Sequence, residues 1–364
     1  MIIFDRKNLY DAKQRANISA LQRRIMAILD DFNREAISLG IASKFDSETA
    51  MFAFSKYPAL NKKMNALMKA VSDKIINDIL VSQQIAFQIS ADKSEKMIDS
   101  YAGINRSLIN SVPESDMVVG KEAIARMRAR NEEALSAFQK RKAGGISLSD
   151  RIWKIAGQAK TEVELTLDTG LAKGESASIM AKNIRQYMTN PDKLFRRVRD
   201  KYGDLQLSKP AKAYHPGQGV YRSSYRNALR LAGTETNIAY HTADFNSWIN
   251  NDLVIGIEVI LSDNHPIEDI CDELKGRYPK EFEFIGWHPA CRCQAIPITP
   301  ENPDFMRYVK DGCPSDYTFD GSIDELPPNF NKWVEDNSSR IDRMKERGKL
   351  PYFLKQNSSL IKGR

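Results

Sequence analysis

Along NISALQRRIMAILDDFNREAISLG the apolar residues Ile18, Leu21, Ile25, Ile28, Phe32 and Ala36 recur at steps of three and four. That spacing puts them on one face of a helix ending at Gly40. After Pro58 the same period returns at Leu60, Met64, Leu67, Val71 and Ile75, a second packing face rather than a cofactor box. A third, more charged segment, KEAIARMRARNEEALSAFQKRK, stops at Gly144-Gly145, and the double glycine marks a boundary. Beyond it, SLSDRIWKIAGQAKTEVELTLDTGLAKG reads as a helix with Ser149 as N-cap and Gly170 near its end. ESASIMAKNIRQYM is a shorter one that stops before Asn190-Pro191. One long helix is expected from Ser223 to about Asn250.

The period then changes. LVIGIEVILS is short, β-branched and bounded by polar residues, and EFEFIGW and RCQAIPI have the same character, so three strands are expected. After Pro300 a proline-punctuated stretch leads to a final helix around NFNKWVEDNSSRIDRMKERG. The fold class is α+β, mostly α. Residues 1–145 form a helical N-terminal region, 146–300 a helix-plus-small-sheet domain with a Cys/His knuckle, and 301–364 a C-terminal extension with a terminal helix.

Three of the four cysteines and two of the four histidines fall within residues 265 to 293, as His265, Cys271, His288, Cys291 and Cys293. Zinc takes four nitrogen or sulfur ligands in a tetrahedron, usually as two close pairs brought together by a fold. On a strand, Cys291 and Cys293 would point to the same side with Cα atoms about 6.6 Å apart, a separation that suits two ligands of one ion and is near the upper limit for a disulfide. Pro289 stiffens the turn between His288 and the cysteines. The preferred ligand set is Cys271, His288, Cys291 and Cys293, with His265 in reserve. Arg292 beside the thiols would lower their pKa, which serves a ligand and a nucleophile equally, and small buried thiols with no chemistry are the third reading. Cys313, in DGCPSD, has no such company.

Composition adds bounds. At 364 residues, with 42% hydrophobic and 28% charged residues, the chain has globular character and room for two or three domains. The longest apolar segment, residues 253 to 261, is far short of the roughly 20 residues of a membrane span, and the first residues lack the apolar run of a signal peptide. A reducing cytoplasm is the expected place of synthesis, so the cysteines read as thiols or ligands. The net charge of +7 is concentrated at residues 193 to 230, where ten Lys/Arg face two acids. Lys193, Arg196, Arg197, Arg199, Arg222, Arg226 and Arg230 belong to this stripe, and the last three are expected on one helix face. Such a stripe suits DNA or another polyanion, bound without sequence preference, and equally a solvated surface or an acidic protein. Cations at a helix start oppose its dipole, which implies an anion nearby.

Three segments carry a family resemblance: YHPGQGVYRSSYRNALRLAGTETNIAYHTADFNSWI, GIEVILSDNHPIEDICDELKGRYP and FIGWHPACRC. In T-E-T-N on a helix, C-D-E-L-x-G and H-P-x-C-R-C, the chain resembles the phage Mu F-like minor head proteins, or phage head morphogenesis proteins. It looks most like the versions of phages and prophages of Bacteroides-type bacteria. The resemblance covers residues 146 to 300 closely. It implies a minor capsid protein carried in few copies inside the head, near the portal, acting in head assembly and in DNA packaging or ejection, made in the host cytoplasm and located in the virion. Portal and capsid or scaffold proteins are the implied partners, with no membrane and no small-molecule substrate. Thr234, Glu235, Asn237 and Gly276 are its motif residues. Members with His where Cys271 stands, in an H-x2-L-x-G version, imply that this position ligates a metal, so a structural zinc is expected. The wider family often reads A-R-T-E where Gly233 precedes Thr234 and Glu235 here, which removes an Arg–Glu pair.

Catalysis is not expected. There is no G-x-S-x-G, H-E-x-x-H or P-loop. The alternative is an enzyme or toxin effector carried in the head: a cysteine nucleophile at 291 or 293 with His288 as base, or an ADP-ribosyltransferase-like site built on Glu281 and Glu283 with Arg222, Ser223 and Ser224. The S-T-S stretch the latter needs is missing.

Overall fold

The computed structural model describes residues 2–3, 9–43, 52–108, 132–189, 196–199, 201–203, 205–207, 214–215, 217, 219–262, 268–312, 314 and 316–361, and all structural statements below are made of these residues. Cα packing divides the chain into two compact units that interleave in sequence. The first comprises Met1–Ile18, Ser82–Gln139 and Thr234–Arg364, the second Ser19–Val81 and Lys140–Gly233. Chain-order spans ending at 145 and 300 therefore cut across both units.

Up to residue 250 the helices expected from the 3.6-residue period form where their residues are described, and two run far past the stripe that announces them. Helix α1 spans Leu9–Ile41 and α2 spans Pro58–Leu108. Helices α3 (Glu132–Lys140), α4 (Leu148–Ala172) and α5 (Ala177–Thr189) follow, and α6 is Ser224–Trp248. The N-cap of α4 is Ser147, not Ser149: its hydroxyl accepts from Asp150 N and the Asp150 carboxylate accepts from Ser147 N, closing a capping box. The part of the charged segment before α3 lies outside the described residues.

In the second unit the stripe residues Leu21, Ile25, Phe32, Ala36, Met64, Val71 and Ile75 are buried, with Ile152, Val163 and Leu167 of α4 among them. A side chain at Gly40 would collide with Leu167, its Cβ falling 2.2 Å from Cδ1, so this crossing of α1 and α4 depends on glycine. Deleting one such buried side chain to Ala costs about 2–5 kcal/mol. Asp168 and Glu164 of α4 accept the backbone N–H groups of Phe52 and Phe54, each at 2.9 Å. The RRVR segment, which has no strand signal beyond its length, forms β2 (Arg196–Arg199), paired antiparallel with β3 (Leu205–Leu207).

In the first unit, β1 (Ile2–Ile3), β4 (Gly256–Ile260), β5 (Gly276–Tyr278) and β6 (Gln294–Thr299) form an antiparallel sheet of order β1-β6-β4-β5. Every residue of β6 is buried. Pro297 is tolerated in it because β1 pairs only with Ile298 and Thr299, leaving Pro297 with a partner on one side, Ile257. LVIGIEVILS and RCQAIPI thus contain strands as expected, whereas EFEFIGW does not. Its side chains alternate as a strand's would, Phe282 and Phe284 buried and Glu281 exposed. Its neighbour, however, is a side chain: Asn357 accepts from Glu283 N at 2.7 Å and donates to Glu283 O at 3.1 Å, which stands in for a ladder.

The short helix α7 (Ile270–Leu274) precedes β5, and α8 (Asn302–Lys310), α9 (Pro328–Asp336), α10 (Ser338–Glu346) and α11 (Tyr352–Gln356) follow the sheet. The expected final helix is thus two, α9 and α10, which break at Asn337. Tyr278, Phe282, Trp287, Phe330 and Phe353 pack as an aromatic core. The fold is mostly α with a small antiparallel sheet, and no described helix is long and apolar enough to cross a membrane.

Candidate metal centre

Asp269 begins the site. It is the N-cap of α7, accepting from Cys271 N at 2.8 Å, while Asp272 accepts from Asp269 N, a capping box readable in D-I-C-D. The cap fixes the start of the helix and so the direction of Cys271. The second arm is HPACRC, where Cys291 N donates to His288 O at 3.0 Å and Ala290 sits at φ 61°. Left-handed backbone costs an L-residue about 1 kcal/mol or more, and what holds it here is α6. Thr234 Oγ1 accepts from Ala290 N at 3.0 Å and Asn237 Nδ2 donates to Cys291 O at 3.2 Å. Thr234 and Asn237, three apart, lie on one face of α6, so the T-E-T-N motif is the bracket of the H-P-x-C-R-C loop.

Cys271, Cys291 and Cys293 are buried, and their sulfurs lie within 4.8 Å of one another. Cys271 Sγ is 3.8 Å from Cys291 Sγ and 3.2 Å from His288 Nε2. Two sulfurs bound tetrahedrally to one zinc at ~2.3 Å stand ~3.8 Å apart, and a sulfur and an imidazole nitrogen roughly 3.5 Å apart. These two separations suit ligands of one metal ion. Asp269 Oδ2 lies 3.3 Å from His288 Nε2, and Asp269, Cys271 and His288 make a second group of converging donor atoms. His288 Nδ1 lies 2.9 Å from Pro289 O, an acceptor only, so Nδ1 carries a proton and Nε2 is the nitrogen left to ligate.

Cys291 and Cys293 precede β6 instead of lying on it. Their sulfurs come together because the loop bends, and Gly286 permits the bend. It has φ 101°, and a Cβ there would lie 3.1 Å from Cys291 Cβ. Hydrogen bonds from Cys271 and then Cys293 hold the Cys291 thiol below the usual thiol range, while Cys271 is raised by its hydrogen bonds with Cys291 and Cys293 and by burial.

No protein-family model, curated protein or solved structure matches the chain.

The other expected residues are dispersed. His265 and Cys313 lie outside the described residues, as does Lys193. Arg196, Arg197 and Arg199 are on β2. Arg222 does not share a helix face with Arg226 and Arg230, because it ends a 3-10 turn, Gly219–Arg222, before α6 starts. Arg226 is exposed, and Arg230 donates to Asn227 Oδ1 and stacks 4.7 Å over the Tyr221 ring. The anion that the start of α6 calls for is supplied by the chain itself. Glu162, wholly buried on α4, accepts from Ser224 N at 2.8 Å, Ser224 Oγ at 2.5 Å, Gln158 Nε2 at 3.1 Å and Tyr214 OH at 3.3 Å. Burial pushes its carboxyl up to about 7 against those four bonds. Glu235 is buried, and Gly276 opens β5 opposite Val259 with φ 153°.

Sequence reasoning passed over Asp269, Gly286, Ala290, Glu162 and His241. The capping pattern D-I-C-D could have found Asp269, and a glycine five residues before Cys291 could have flagged Gly286. Nothing local distinguishes the other three. His241 is buried on α6 and held down to about 3, first by burial and then by the Lys93 charge. Lys93 itself is buried, 2.5 Å from Asp244 Oδ2 and 2.9 Å from Tyr240 OH, with its ammonium over the Tyr240 and Trp248 rings.

Proposed function

We propose that this chain is a minor head protein of the Mu F-like morphogenesis type, an internal, low-copy component of a tailed-phage head that acts near the portal, and that Cys271, His288, Cys291 and Cys293 hold a structural zinc. The observation that carries the reading is convergence. T-E-T-N begins 37 residues before C-D-E-L-x-G and 54 before H-P-x-C-R-C, yet Thr234 and Asn237 bracket the loop whose cysteines meet Cys271. The three motifs that carry the family resemblance make one site.

The arrangement supports coordination over nucleophilic catalysis. In a Cys-His-acid relay the sulfur faces one imidazole nitrogen and the carboxylate holds the other. Here the Cys271 sulfur and the Asp269 carboxylate both face Nε2, and Nδ1 is held by Pro289 O. A soft, nitrogen- and sulfur-lined pocket of this spacing suits zinc above magnesium or calcium. The zinc pins the loop before β6 to α7, which makes the ion part of the folding free energy. Its contacts in the head are portal and capsid or scaffold proteins, with DNA held non-specifically by the basic segment.

Two measurements test this. Plasma mass spectrometry of the purified chain is expected to give one zinc per molecule, lost in both Cys271→Ser and Cys293→Ser. Proteomics of purified virions from the host that carries the chain is expected to find it in heads, together with the portal protein. A folded, metal-free wild type defeats the zinc assignment, and absence from virions defeats the head assignment.

A further inference from the structure

The two oxygens of the Asp269 carboxylate face different neighbours. Oδ1 accepts from Cys271 N at 2.8 Å and so caps α7, while Oδ2 lies 3.3 Å from His288 Nε2. Holding one oxygen at the helix start fixes the aim of the other. Nε2 is the lone-pair nitrogen of His288, since Nδ1 faces Pro289 O, and the Cys271 sulfur is 3.2 Å from it. An oxygen and a nitrogen bound to one tetrahedral zinc at about 2.0–2.1 Å stand roughly 3.3–3.4 Å apart, which is the separation found here. The candidate ligand atoms form two groups of three, Cys271 with Cys291 and Cys293, and Cys271 with Asp269 and His288, each within 4.8 Å. Cys271 belongs to both. The three cysteines are buried, whereas the side chains of His288 and Asp269 are 35% and 27% exposed. The sulfurs therefore lie deep in the cluster, and the imidazole and the carboxylate stand side by side at its rim.

We propose that Asp269 is a ligand of this centre through Oδ2, beside His288, and that it holds the ion together with the three cysteines when the imidazole is removed. The inference rests on the zinc reading above and adds to it a donor outside the four assigned there. A carboxylate oxygen is an ordinary zinc ligand, and at the rim it can meet or leave the ion without repacking the cysteines beneath.

The test compares wild type, Asp269→Ser, His288→Ala and the double variant for zinc binding, by competition with a chromogenic chelator at low and at high salt. Serine caps a helix about as well as aspartate but has no carboxylate, so the metal-free melting temperature of Asp269→Ser is expected to match wild type. His288→Ala is expected to keep one zinc. Adding Asp269→Ser to it is expected to weaken zinc binding on the order of 100-fold, the upper end of what loss of an outer partner costs. A carboxylate acting only through its field is screened by salt, whereas a bound one is not, so the ratio of the two affinities is expected to hold at both salt concentrations. The proposal is overturned, with the zinc site left standing, if the double variant binds as tightly as His288→Ala or if their difference vanishes at high salt. Loss of all zinc in His288→Ala alone overturns it as well. A wild type that takes up no zinc overturns the zinc reading and this inference together. Where Asp269→Ser does not fold, Asp269→Asn, which also caps, takes its place under the same criteria.

Discussion

The Glu162 site of the second unit and the cysteine cluster of the first are both buried and polar, and they solve burial in opposite ways. Glu162 brings acceptors to donors: Ser224, Gln158 and Tyr214 supply four hydrogen bonds to one carboxylate. The cluster gathers atoms that can ligate a metal: three sulfurs lie together, and a carboxylate oxygen and a His288 nitrogen gather at the Cys271 sulfur. A site of the first kind is complete as folded. One of the second kind could hold a metal ion. That contrast, more than the presence of cysteines, separates a structural polar core from a candidate metal centre.

The sharpest way to break the comparison is to remove the ion. Chelation of the loaded protein is expected to lower its stability by about 4 kcal/mol when free zinc had stood at a thousand times Kd, read as a fall in melting temperature that added zinc reverses. Cys271→Ser should reproduce the fall with no rescue. Equal melting temperatures with and without chelator would place the cluster with Glu162 as a complete core.

Glu162 comes next in size. Glu162→Ala strips Ser224 of its buried acceptors and is expected to cost about 3 kcal/mol, measured by urea unfolding in chelator. The pH dependence sharpens the contrast. Folding raises the Glu162 pKa from 4.5 to about 7, so its contribution is fully present below pH 4.5 and is lost as pH rises through about 7. Asp244, raised to about 6 by burial despite Lys93, has the same sign. The metal-free chain should therefore lose stability across that window, and Glu162→Gln should flatten the slope. Zinc binding runs the other way, because protons compete for the ligands on acidification. A slope of the same sign with and without zinc would contradict the assignment.

Smaller effects come from the bracket and the turn. Thr234→Val removes the acceptor of Ala290 N and should cost about 1–2 kcal/mol, with weaker zinc binding in the same competition assay. Ala290→Gly should gain about 0.5–1 kcal/mol by relieving the left-handed backbone at φ 61°, visible as a slightly higher melting temperature. A loss there would mean that the Ala290 methyl packs productively.

Helix faces were legible because a helix is a local object: its period appears in six residues, as from Ile18 to Ala36. Helix length was less so. Helix α2 runs 51 residues because packing extends it beyond its clearest stripe. The EFEF segment shows the limit of periodicity. Alternation predicts which side chains are buried but not what pairs with the backbone, and here the partner is Asn357, more than 70 residues on. The ligand set was legible as residue types, since few pairings of Cys and His bind metal. Asp269 was less visible, because it is not unusual until a fold places it beside sulfur.

The sequence by itself determined the helical periods, the strand-forming segments around residues 257 and 296, the basic stretch and the four candidate ligands. These depend on residue type and short-range spacing, which backbone geometry converts directly into faces. Tertiary structure alone decided that the two units interleave along the chain, that Glu162 supplies the anion for α6, that Thr234 and Asn237 hold the cysteine loop, and that EFEF pairs with a side chain. Each is a contact between residues 50 or more apart in sequence, and no local pattern encodes which of many distant partners will satisfy a buried group.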